Sequence, residues 1–173
     1  MRVRTVSPTD WLPNGLISTT LRQPKELLQV DKPWDVGAGL RPVPWFGNRQ
    51  ICIEPCKQYA ERLSKAGFAV IEQTALVALE NAEKIDSLIM LDVIEHMAKD
   101  EGRRVMALAL EKVKTQIVLY TPHGFMEQND DGWGLGEDHW QTHRSGWTPD
   151  EFPGFHCYTE GRGFVAIWTR THS

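Results

Sequence analysis

The chain has 173 residues, of which 41% are hydrophobic and 24% charged, with a formal net charge of −4. That length suits one domain with a substantial core, and mild acidity without a long Lys/Arg block gives no ground for a nucleic-acid partner. Three cysteines without framework spacing point to a reducing cytoplasm, no signal peptide opens the chain, and no apolar run approaches the ~20 residues that span a bilayer.

Residues 1–31 carry Pro8, Pro13, Gly15 and Pro24 among scattered apolar positions. This composition predicts a partly ordered N-terminal arm, serving as a lid or as a plain extension. Pro24 to Leu28 is a candidate short helix. Residues 32–173 read as a single domain.

Pro33-Trp34-Asp35-Val36 is a short apolar run broken by Gly37 and Gly39, with Ala38 between them. The pattern predicts a buried strand that empties into a tight turn, where glycine reaches positive φ and lets backbone N–H groups approach a ligand. Pro42 and Pro44 prevent a regular helix after it, so a loop runs on to the second strand. That strand, Ile51-Cys52-Ile53, ends on Glu54 and Pro55. Glycines after one strand and a carboxylate at the end of the next are the arrangement of a nucleoside or dinucleotide site. Cys52 and Cys56 lack the second pair that a structural zinc site needs.

Cys56, Tyr59, Ala60 and Leu63 fall at helical spacing, and Gly67 closes the helix. A strand at Phe68 to Ile71 and a helix at Ala75 to Ala82 follow. Ser87 to Leu91 is continuously apolar, as a strand covered on both faces should be, and it ends in Asp92-Val93-Ile94-Glu95-His96. Met106, Ala109, Leu110 and Val113 mark a further helix, and Gln116 to Tyr120 a strand closed by Thr121-Pro122. Alternating strands and helices predict a parallel sheet with right-handed crossovers. Phe155 to Thr159 and Phe164 to Thr169, joined through Gly161 and Gly163, predict an antiparallel hairpin.

Together DVGAG, CIEP, LDVIEH, YTP and the hairpin resemble the class I S-adenosylmethionine-dependent methyltransferases over residues 30–170. The resemblance implies an α/β, Rossmann-like, mostly parallel seven-stranded sheet with an antiparallel C-terminal hairpin and helices on both faces. It also implies S-adenosyl-L-methionine as cofactor. The turn Asp35, Gly37, Ala38, Gly39 would hold its methionine part, Glu54 and the following Pro55 its ribose, and Asp92 and Val93 would lie beside the methionine and sulfonium. Arg41 stands where the family has a third glycine, and GLRPVP is similar to a variant in bacterial sugar and cell-surface glycan methyltransferases. The acid often present after the third strand is replaced by Gln73-Thr74-Ala75, which leaves Thr74, Gln73 or main-chain groups for the adenine.

The irregular stretch from His123 to Thr148 leaves the carboxyl end of the fifth strand, where ligands of open α/β sheets bind. His123, Asp138, His139, Trp140, His143, Arg144 and Trp147 are its candidates to face a small polar acceptor. His143 and His123 are the candidate catalytic residues, His143 read either as a base for an oxygen acceptor or as a packing residue. A metal site from His139 and His143 with Asp138 and His123 lacks the HExxH pattern, so no metal is expected. Glu95 and His96 either start the helix after the fourth strand or flank the cofactor. Tryptophans 11, 34, 45, 133 and 168 read as core or cover. The expectation is a methyltransferase acting on a small polar acceptor, against a non-catalytic module of the same fold or an NAD-dependent oxidoreductase.

Overall fold

The computed structural model describes residues 32–43, 46 and 49–171; the N-terminal arm, with Trp11, and Trp45 lie outside them. Seven strands, β1 (Trp34–Val36), β2 (Ile51–Ile53), β3 (Ala69–Ile71), β4 (Ile85–Leu91), β5 (Val113–Pro122), β6 (His156–Glu160) and β7 (Gly163–Thr169), form one sheet. Its order is β3-β2-β1-β4-β5-β7-β6. The first five strands pair in parallel, and β7 runs antiparallel to both β5 and β6. A parallel core finished by an antiparallel hairpin is the architecture that the sequence led us to expect.

Register explains which residues face which layer. Val70, Cys52, Asp35, Ile89, Val118 and Ile167 are mutual partners across β3, β2, β1, β4, β5 and β7, so they share one face. Leu63 of helix α1 (Lys57–Lys65) packs on this face with Ala38 and Cys52. Val43 and Phe46 cover its middle, against Ile89, Val118, Val165 and Ile167. They lie in the proline-bearing segment between β1 and β2, where no α-helix is found among the described residues.

The opposite face carries Val36, Ile53, Leu88, Met90, Ile117 and Leu119 against helices α2 (Ala75–Asn81) and α3 (Lys99–Lys112), which supply Ala78, Leu79, Val105 and Ala109. Helices therefore cover both faces. Several boundaries differ from the sequence reading by one or two residues, β4 starting at Ile85 rather than Ser87 among them, and β5 differs most. Val113 begins β5 rather than ending the helical stripe, and β5 is longer than Gln116 to Tyr120. Pairing with two neighbours, β4 and β7, stabilises residues that an isolated apolar pattern does not mark.

Candidate functional site

Most of the residues singled out from the sequence sit at or just past the carboxyl ends of the parallel strands. Gly37 and Gly39 follow β1 with φ of +66° and +55°. A Cβ at Gly37 would come 2.5 Å from Val93 Cγ2, so glycine is needed there for space as well as for backbone angle. Val93, which follows β4, is thereby seated directly against the turn after β1. Ala38 is buried. The Gly39 N–H donates to Glu54 Oε2 at 2.8 Å, and the Cys56 N–H donates to Oε1 at 2.9 Å. Pro55, between them, has no N–H to give. Burial raises the Glu54 carboxyl above its ordinary range, and the two backbone donors oppose the rise.

Asp35 shapes the loop behind the turn. Its Oδ2 accepts from the Val43 N–H at 2.8 Å and from Gln50 Nε2 at 3.0 Å. Burial pushes its carboxyl up to about 7. The position lies on the covered sheet face beneath Val43, so Asp35 supports the turn rather than facing its mouth. Thr74 caps α2, its hydroxyl accepting from the Val77 N–H at 3.3 Å.

After β4 the chain turns sharply. Asp92 has φ of +53°, a left-handed conformation that aspartate tolerates better than most side chains and that commonly marks functional positions. Desolvation by the surrounding chain pushes its carboxyl up to about 6, although the residue as a whole is exposed. Ile94–His96 then form a single 3₁₀ turn before α3. Glu95 is buried; Thr121 Oγ1 donates to its Oε2 at 2.9 Å, while Oε1 has no hydrogen-bond partner. Burial, then the neighbouring Asp92, raises the Glu95 carboxyl well above the usual carboxylate range. Burial, then His143, lowers His96 to about 4, leaving it neutral at ordinary pH.

The segment after β5 folds back over both corners. Asp131 accepts from the N–H groups of Trp133, Leu135 and Glu137 and from Tyr59 Oη on α1. Against desolvation, these donors hold its carboxyl below its ordinary value. The Trp133 indole consequently lies 3.9 Å from where a Gly39 Cβ would be, with the Arg41 guanidinium 4.6 Å from its ring centre. Arg41, the residue in the third-glycine position, thus braces a cover over the turn. This contact was not legible in the sequence, because nothing local to Trp133 names its partner.

The acceptor-side candidates separate. His143 is buried and reaches the Met126 carbonyl through Nδ1 at 2.6 Å, with its ring 4.6 Å from that of His96. His123 is exposed and packs edge-on to Phe164 of β7. Asp138 accepts from the Asp131 N–H, and His139 meets Trp140 edge-on in the short helix α4 (Asp138–Gln141). Thr142 is extended, so His139 and His143 do not share a helical face, and the four-residue spacing that suggested a joint site carries no meaning here. Arg144 donates to the carbonyls of His96 and His139, both at 2.6 Å.

Trp147, read as facing an acceptor, is instead a core residue. Its Nε1 donates to Ser145 Oγ at 2.9 Å, and a Cβ at Gly102 of α3 would lie 2.6 Å from its ring. Trp34 and Trp168 pack against the main core, as expected. Among the described residues, one ligand atom each from Glu95, His96 and His143 gather within 4.8 Å of one another, a grouping different from the one weighed in the sequence.

No family model matches the chain, and no curated protein does. Solved structures do. An S-adenosylmethionine-dependent methyltransferase from Archaeoglobus fulgidus superposes with TM-score 0.61 at 12% identity, covering 84% of this chain and 88% of that one. Magnesium protoporphyrin IX methyltransferase from Synechocystis PCC 6803, with bound S-adenosylmethionine, gives 0.56 at 10% identity, over 82% of this chain and 70% of its own. A Rhodobacter sphaeroides protein described as a Zn-dependent alcohol dehydrogenase gives 0.61 at 10%, over 84% and 88%. At such identities the likeness is one of fold, and many of the similar structures are methyltransferases. The chain has the class I S-adenosylmethionine-dependent methyltransferase fold.

Proposed function

We propose that this protein transfers a methyl group from S-adenosylmethionine to a small polar acceptor, with sugar or cell-surface glycan precursors as the first class to test. One observation carries the reading. Gly37 and Gly39 form a positive-φ turn that has Val93 of the β4 end on one side and the Glu54 carboxylate of the β2 end on the other. Three strand ends meet at a turn whose two glycines carry no side chains of their own, which suits the close approach of a bound nucleoside and its amino-acid tail.

These residues fit the cofactor. Gly37 to Gly39 would hold the methionine part. Each Glu54 oxygen accepts one backbone donor and retains a further lone pair for a ribose hydroxyl. Thr74 and Gln73 stand at the end of β3 for the adenine. Asp92 and Val93 would flank the methionine and sulfonium, where an ionised Asp92 complements the positive sulfur. When bound, S-adenosylmethionine supplies a methyl group on a good leaving group, so the protein's task is alignment. Trp133 lies over Gly39, so its ring would swing aside to admit the nucleoside and then exclude water.

On the acceptor side, a carbonyl can only accept. His143 therefore carries its proton on Nδ1, facing Met126, and Nε2 is left to take a proton from an oxygen acceptor. His123 is the second candidate, at the end of β5. A reducing cytoplasm and the absence of a nucleic-acid partner belong to the same proposal. Incubation with labelled S-adenosylmethionine and a panel of glycan precursors, phenols and amines, read by product mass, tests it. Transfer to a hydroxyl that His143→Ala slows by about 10²–10⁴ supports the reading. Binding of the cofactor without turnover on any acceptor would favour a silent module of the same fold.

A further inference from the structure

We propose that Glu95, His96 and His143 form a binding site for a divalent transition-metal ion of the zinc type. The inference is independent of methyl transfer, since the three side chains assemble without any cofactor. Two parts of the chain supply them: the 3₁₀ turn after β4 and the return of the segment after β5. Backbone bonds clamp these parts together, with the Arg144 and Ser145 N–H groups donating to the Glu95 carbonyl at 2.7 and 3.0 Å. One ligand atom from each of the three side chains lies within 4.8 Å of the other two.

The surroundings suit ligation. His143 Nδ1 meets the Met126 carbonyl at 2.6 Å, and His96 Nδ1 meets the Thr142 carbonyl at 3.3 Å. Both rings therefore hold the Nδ1 proton and keep Nε2 as the atom able to bind a cation, the arrangement usual around metal-bound histidines. Glu95 Oε2 is oriented by the Thr121 hydroxyl at 2.9 Å, a further outer-shell contact. Its Oε1 is buried and meets no N–H or hydroxyl donor, and the Asp92 carboxyl beside Glu95 brings a second acceptor to the same place, so a cation there would relieve both.

Two imidazoles and one carboxylate suit zinc and its neighbours rather than calcium or magnesium, which prefer all-oxygen sets. Three protein ligands leave a fourth position open, as in catalytic rather than structural zinc sites. The Arg144 guanidinium, bonded to the His96 carbonyl, opposes a cation, and Asp92 beside Glu95 offsets it. Ligation uses the Nε2 that a base would need, so a loaded site leaves His123 as the acceptor-side base.

The full chain, stripped of metal with a chelator, is titrated with zinc by calorimetry and with cobalt(II) by visible absorption. The expected result is one zinc per chain and intense visible d–d bands from low-coordinate cobalt. Glu95→Gln, which keeps the side chain's shape, and His143→Ala should each weaken zinc by about 100-fold or more, since even outer-shell losses cost about 10–100-fold. His139→Ala should leave binding unchanged. Melting curves of each apo variant establish that it is folded. Three results would overturn the proposal: no stoichiometric zinc binding by the folded parent, equal binding by folded Glu95→Gln and His143→Ala, or near-ultraviolet thiolate-to-cobalt bands that move the ion to a cysteine.

Discussion

The corner around β1 and β2 and the corner around β4 and β5 lie side by side at the carboxyl ends of the parallel strands, and they are built differently. The first is held by backbone N–H groups that donate to two buried carboxylates. Gly39 and Cys56 donate to Glu54, and Val43 donates to Asp35. The second is held by side chains and carbonyls from segments far apart in sequence: Thr121 to Glu95, His96 to Thr142, and His143 to Met126. A corner made of main chain tolerates little change in backbone angle. A corner made of side chains tolerates exchange of its groups but depends on the packing that brings distant segments together.

Variants sharpen this contrast, the largest effect first. Trp147→Ala removes the ring that seats the returning segment against α3 and should destabilise by about 3–5 kcal/mol. Chemical denaturation measures it, and a small loss would mean that the second corner does not depend on that packing. Gly37→Ala meets Val93 at 2.5 Å and should cost about 2–4 kcal/mol, combining overpacking with the left-handed penalty. Cofactor binding should fail with it. Were Gly37→Ala as stable as the parent and able to bind, the close approach of β1 and β4 would be wrong.

Glu54→Ala should weaken S-adenosylhomocysteine binding by about 1–3 kcal/mol, as a charged acceptor of two hydrogen bonds is removed. Calorimetry reads this directly, and unchanged affinity would remove Glu54 from the ribose. The remaining effect is read per pH unit. Asp35 holds its proton more tightly folded than unfolded, because burial lifts its carboxyl from 3.8 to about 7. Its contribution to stability is full below pH ~4 and is lost as pH rises through about 7, by at most about 1.4 kcal/mol per pH unit. Asp35→Asn should fall less in melting temperature over that window than the parent does. Parallel curves would mean that Asp35 is already ionised throughout.

The same contrast explains what the sequence disclosed. Gly37, Gly39 and Glu54 could be read because a turn and a strand-end carboxylate declare themselves over a few residues. The hairpin declared itself through Gly161 and Gly163 in the same way. His143 could be singled out but its partners could not. Spacing suggested His139, yet α4 ends at Gln141 and the chain turns His143 toward His96 and Glu95. Glu95 and His96 read as a helix start or as neighbours of the cofactor, and neither reading joins them to His143. Trp147 carried no local mark of burial, since the space it fills is made by Gly102 on another element. Long-range packing decides such positions, and one sequence does not display it.

The central claim is that the turn after β1, with Glu54, accepts the methyl donor. Melting the chain with S-adenosylhomocysteine at a hundredfold excess over Kd tests it most directly. Binding should add about 2.7 kcal/mol and raise the melting temperature by roughly 5–10 °C. The rise should shrink in Glu54→Ala at the same ligand concentration. A flat curve at millimolar S-adenosylhomocysteine, together with a shift on adding NADH, would contradict the account.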